Sequence, residues 1–184
     1  MPKQLMTFQD SPVAQFVFGS TKAAWLWLAV RLYVGWAWLE TGWDKVNNAA
    51  WVGDKAGVAI TGFVQGALAK TAGPHPDVQG WYAWFLSHAV LPNAPVWGQV
   101  VAWGELAVGI GLILGALTGV AAFFGAFMNL NFLMAGSVSV NPILGVMALG
   151  LMMAWKVAGY IGVDRWLLPL LGTPWRPGSI FHGK

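Results

Sequence analysis

Apolar residues come in long blocks along this chain rather than in alternation, and four blocks dominate: residues 23–43, 97–117, 120–136 and 143–163. Each is close to the ~20 residues a helix needs to cross the hydrocarbon core of a bilayer. Backbone N–H and C=O groups in lipid must be satisfied within the segment, so such blocks predict helices, and no alternating barrel pattern competes. The second and third blocks nearly run together. As one helix, 97–136 would be roughly 60 Å long at about 1.5 Å per residue, twice the core thickness. The chain is therefore predicted to fold back, with Thr118-Gly119 as the hairpin. The expected architecture is an all-α integral membrane protein: one domain over residues 1–184, built as a four-transmembrane-helix antiparallel bundle.

The connection 44–96 is too long and too apolar for a plain linker. Between residues 51 and 69, Val52, Gly53, Ala56, Ile60, Phe63, Val64, Ala67 and Leu68 can share one broad helical face. Gly73-Pro74-His75-Pro76-Asp77 breaks that helix. A second stretch, 78–90, places Trp81, Trp84, Phe85 and His88 at helical spacing before Leu91-Pro92-Asn93 and Ala94-Pro95 stop it. Both segments read as amphipathic interfacial helices over the outer mouth of the bundle.

Composition sharpens this picture. With 57% hydrophobic and 9% charged residues and a mean hydropathy of +0.59, the chain carries too little charge for a soluble domain of 184 residues. The first block contains Arg31 and Glu40 and lacks a small-residue cleavage site after it, so it reads as a retained helix rather than a signal peptide. An even number of spans puts both ends on one side, together with Lys3, Lys22, Arg165, Arg176 and Lys184. The connection balances Lys45, Lys55 and Lys70 against Asp44, Asp54 and Asp77. That bias predicts a multi-pass protein of the cell membrane with cytoplasmic N- and C-termini and an external loop. The net charge of +3 is scattered at helix ends, which marks topology rather than nucleic-acid binding.

Zero cysteines exclude disulfides, thiolate nucleophiles and a dithiol relay. His75, His88 and His182 all lie outside the four blocks, so a haem held by paired histidines within the bundle is not expected. The spacing of His75, Asp77 and His88 matches no compact metal motif, and no protein-bound metal is predicted. Phosphate-binding glycine loops, nucleophile elbows and dinucleotide fingerprints are missing too, so hydrolases and nucleotide enzymes recede. Tryptophans at the ends of blocks read as an aromatic belt. Gly104, Gly109, Gly111 and Gly115 read as small residues for close helix approach, which also permits a homo-oligomer.

The ionisable residues inside the blocks are the candidates for function, because such side chains are costly in lipid unless they face a partner or a polar cavity. Arg31, Gly35, Trp38 and Gly42 form one stripe of the first helix, and Glu40, nine residues from Arg31, falls on the opposite side. Counted from the outer ends of their helices, Glu105 lies roughly 12 Å deep, Arg31 roughly 18 Å and Asn129 about 10 Å. Arg31 and Glu105 are therefore expected to meet at one level with Asn129, either as a structural ion pair or as a pocket for substrate or quinone, with Trp38 on the same stripe. Lys156 is expected to snorkel to head groups.

The stretch Ala29-Val30-Arg31-Leu32, the helix end Gly42-Trp43-Asp44-Lys45, the run from Glu105 through Gly109 to Gly115, and a third helix bearing Gly and Asn together resemble the DoxX-like membrane family. The closing Asn141-Pro142, Gly162-Val-Asp164-Arg165-Trp166 and Gly172-Thr-Pro174-Trp look like its DoxD branch, the membrane subunit of thiosulfate:quinone oxidoreductase. The resemblance implies a four-helix membrane protein that, with a second small subunit in some members, oxidises thiosulfate to tetrathionate and reduces a membrane quinone. Arg31, Lys45 and His88 would then be the cations that offset repulsion between the anionic substrates. Glu40, Glu105 or His88 would relay protons, and Asn129 would donate a hydrogen bond to a quinone carbonyl. The alternative is a non-catalytic membrane scaffold or carrier that recruits a partner redox protein through residues 51–90.

Overall fold

Helix is the only regular structure among residues 10–173, the part of the chain that the computed structural model describes. Lys3, Pro174, Trp175, Arg176, His182 and Lys184 lie outside the described residues. A short α1 (Pro12–Gly19), with Ser11 capping its first turn, precedes a bend of 60° into the long α2 (Ala24–Val46). The connection between α2 and the next long helix holds α3 (Val58–Leu68) and α4 (Gly80–Phe85). The remaining helices are α5 (Ala94–Leu114), α6 (Thr118–Met134), α7 (Asn141–Met153), α8 (Trp155–Ala158) and α9 (Asp164–Leu170).

Helices α2, α5, α6 and α7 pack in a closed ring, α2 on α5, α5 on α6, α6 on α7 and α7 back on α2. Their interior is filled by Trp27, Val34, Trp38, Val108, Leu112, Ala122, Leu144 and Leu151. Neighbours run antiparallel. Gly42 packs on the backbone at Leu106 and Gly109 on that of Leu39, which brings α2 and α5 closer than any side chain at either position would allow. A second core, built from Ile60, Val64, Ala67, Val78, Tyr82, Leu86, Val90, Ala94 and Ala135, seats α3 and α4 on one end of α5 and α6. The Lys70 ammonium donates to Gly136 O at 2.6 Å and ties that cap to the C-terminus of α6.

Three boundaries differ from expectation. The hairpin lies at Gly115–Leu117, not at Thr118-Gly119. Gly115 takes the left-handed conformation (φ 64°), and the bonds Gly115 N→Leu112 O and Ala116 N→Gly111 O end α5 as a Schellman motif. The prolines at 92 and 95 do not stop the preceding helix. A wide turn over Leu86–Val90 rearranges the backbone bonding just before them, and the helical path Gly80–Leu114 runs on for 35 residues. The fourth block does not continue as one helix to Val163. It breaks at Ala154, and the chain turns after α8 so that Val163 N and Asp164 N donate to Leu114 O and Gly115 O.

Gly80–Leu114 is long and apolar enough to cross a membrane, and the bent pair Pro12–Gly19 and Thr21–Val46 passes the same test as a unit. At 17 and 13 residues, α6 and α7 are shorter apolar helices.

Candidate functional site

The ammonium of Lys45, in the last turn of α2, is bonded to the Glu105 carboxylate of α5. Glu105 is 1% exposed and the Lys45 side chain 21%, so one partner is sealed in protein while the other reaches the surface. Trp51 lies over the ammonium, 5.1 Å from ring centroid to Nζ. The close approach at Gly42 sets this level, since Glu105 sits directly across from it.

Arg31 is equally buried and does not meet Glu105. Its guanidinium packs on Gly115 and Gly162 at the opposite end of α5, where Nη2 donates to Ile161 O at 2.8 Å. Nε and Nη1 have no hydrogen-bond partner among the described residues. The expected pair fails because α2 and α5 are staggered. Gly42 is level with Glu105, so Arg31, eleven residues earlier, lies about 16 Å further along the axis. Depths counted from each helix's own end assumed ends that coincide, whereas α5 starts well beyond the end of α2.

Asp164 is the charged residue that sequence reasoning did not single out. It is fully buried, its charge acts on Arg31, and its two carboxylate oxygens accept from Leu117 N (2.6 Å) and Thr118 N (2.8 Å). It thus caps α6 from outside the helix and holds Leu117 in a left-handed conformation (φ 48°). The available signal was a lone acid, the only carboxylate side chain after Glu105 in the sequence.

The other expected site residues scatter. Glu40 is exposed on the outside of α2, away from the Lys45–Glu105 pair. His88 is exposed on the cap, stacked on Trp84 at 5.0 Å with Nδ1 2.9 Å from Ser87 Oγ and from Trp84 O. Trp38 and Asn129 are both buried: Trp38 Nε1 faces Gly125 of α6, whereas Asn129, one turn further along α6, packs toward Gly145 of α7. Neither the Trp38 indole N–H nor the Asn129 amide has a hydrogen-bond partner among the described residues. Arg31, Lys45 and His88 therefore form no common anion site. Among the described residues, no three His, Asp or Glu side chains converge as a metal site would require.

An apolar groove of about 570 Å³ lies between α5 and α6, covered at one end by α3 and α4. It runs from Trp97 to Gly111 along α5, roughly 21 Å at the helical rise, and ends at Ala116 and Leu117. Val100, Val120, Phe124 and Phe127 on its walls are half exposed, so it opens sideways from the bundle. Polarity is confined to the capped end. There the Tyr82 hydroxyl lies 3.0 Å from Asn131 O and 3.1 Å from its Oδ1.

A family profile described as DoxX matches residues 26–137, from the start of α2 past the end of α6. The chain belongs to the DoxX family. DoxX proteins are membrane proteins, in keeping with the long apolar helix of this one. The matched stretch contains Arg31, Lys45, Glu105, Asn129 and the whole groove, while Asp164 and Lys156 fall outside it. Comparison with curated proteins and with solved structures finds no match.

Proposed function

We propose that this DoxX protein crosses the membrane four times, through α2, α5, α6 and α7, with both termini cytoplasmic, and that it is a DoxD-type subunit oxidising thiosulfate at the outer face at the expense of a membrane quinone. The observation that carries the reading is the α5–α6 groove. A long apolar channel that opens sideways toward lipid, is walled by aromatic rings and is polar at one end has the shape and chemistry of a quinone with its tail.

In balanced form, two thiosulfate dianions, one quinone and two protons give one tetrathionate, with a new sulfur–sulfur bond, and one quinol. The chain's own residues have three tasks. Phe63, Phe85 and Trp97 supply flat apolar walls at the capped end. The Tyr82 hydroxyl, now directed at Asn131, can rotate its proton toward a ring carbonyl. Lys45, the surface-reaching cation of the loop end, attracts the dianions, and Glu105 fixes its position. One ammonium offsets only part of the charge on two dianions, so the remaining cations are assigned to a second small subunit.

Purified protein, assayed with and without such a partner, should reduce a short-tailed benzoquinone analogue when thiosulfate is added. No turnover in either case overturns the enzyme reading.

A second reading, the membrane scaffold that recruits a redox partner, is favoured by Arg31 and Asp164, both committed to holding chain segments together. It predicts a partner that co-purifies through the α3–α4 cap and is lost when the cap's exposed Trp81 and Trp84 are replaced.

A further inference from the structure

At the opposite end of the bundle from the cap, α1 lies beside the start of α2 and borders an open cleft of about 860 Å³ with α8. Its lining differs in kind from that of the groove. Asp10, Gln15, Ser20, Thr21 and Lys156 give it a polar floor, and Phe16, Phe18, Met153 and Trp155 give it an apolar side. The two charges in this cleft do not pair with each other. Among the described residues, Asp10 has no cation within ion-pair distance, and Lys156 has an aromatic neighbour, Trp155 at 5.8 Å, but no carboxylate.

A cation and an anion that line one cleft while staying apart suit a ligand whose own two charges are separated in the reverse sense. The mixed walls require that ligand to carry apolar chains as well. We propose that the cleft binds a phospholipid with a phosphoethanolamine head group. Lys156 and the hydroxyls of Ser20 and Thr21 take the phosphate, the Asp10 carboxylate accepts hydrogen bonds from the primary ammonium, and the acyl chains leave past Phe16 and Met153. The position fits: α1 is bent 60° away from α2 and leaves Val13 and Phe16 exposed, as a helix at the head-group level does. The site presupposes the membrane placement proposed above and is independent of the redox chemistry.

Native mass spectrometry of the full chain in detergent, titrated with phosphatidylethanolamine, phosphatidylglycerol and phosphatidylcholine of identical acyl chains, tests this. The parent should retain phosphatidylethanolamine at least about threefold better than either competitor, the scale of one exposed charge pair. Asp10→Asn should erase that preference and move it toward phosphatidylglycerol, while Lys156→Gln should weaken all three lipids. Both side chains reach the surface, so circular dichroism should stay that of the parent. Equal retention of phosphatidylglycerol by the parent, or parental retention of phosphatidylethanolamine by the double variant, overturns the assignment. Either result leaves the thiosulfate assay unaffected, so the two proposals fail separately.

Discussion

The two ends of the α2–α5 pair treat buried charge differently. At the loop end Lys45 and Glu105 satisfy each other, and one of them touches the surface. At the hairpin end the Arg31 guanidinium is boxed in by two glycines with a carbonyl as its acceptor, and Asp164 spends both oxygens on the backbone of the turn. A charge that pairs at a surface remains available to a ligand. A charge consumed by backbone groups in a sealed site is a fastener. On the proposed function the chemistry belongs to the loop end, and the hairpin end supplies the rigidity behind it.

Removing one partner at the loop end should have the largest effect. Lys45→Met leaves the Glu105 carboxylate buried and unpaired and should cost about 3–5 kcal/mol in detergent melts. The double variant Lys45→Met/Glu105→Gln should regain at least half of that. A double variant no better than the single one would mean that the pair is not a unit.

At the hairpin end, Asp164→Ala strips the acceptors from the buried Thr118 N–H and the part-buried Leu117 N–H and should cost about 2 kcal/mol. Asp164→Asn, which keeps one carbonyl oxygen, should cost less. If turnover per folded molecule falls along with stability in these variants, the contrast between the two ends breaks down.

Gly104→Leu sharpens the contrast from the groove side. A side chain there meets only Met128 Sδ, at 3.5 Å, before entering the channel. It should lower kcat/KM for the quinone analogue about tenfold, a loss of roughly 1.4 kcal/mol in transition-state stabilisation. Melting should stay close to that of the parent. The smallest effect is expected for His88→Ala, which removes an exposed ring and should change stability by no more than about 0.5 kcal/mol, with turnover unchanged. Loss of activity in that variant would restore His88 to the site.

The helical class was legible because apolar blocks and glycine stripes are local signals. The limits of that legibility are equally specific. Thr118-Gly119 looked like the turn, yet Gly115 ends α5, because a Schellman motif depends on which glycine adopts a positive φ rather than on which dipeptide resembles a break. Pro92 and Pro95 looked like stops, yet the wide turn ahead of them lets the helix continue. Burial of Arg31, Glu105 and Asn129 followed from the cost of polarity in apolar blocks, and all three are sealed. Their partners did not follow, because the axial offset between two helices is set by where Gly42 and Gly109 let them touch. The role of Asp164, noted only within a family-like stretch, was not legible for a related reason: it exists only once residues 46 positions apart have met.

That distance has a consequence for biogenesis. The turn joining α5 to α6 emerges from the ribosome with two bare amide donors at Leu117 and Thr118, and the carboxylate that satisfies them is synthesised only after α7 and α8. Chain growth therefore reaches a nearly complete bundle before the latch arrives, and a nascent chain arrested short of residue 164 should be far more open to proteolysis at this turn than the finished protein.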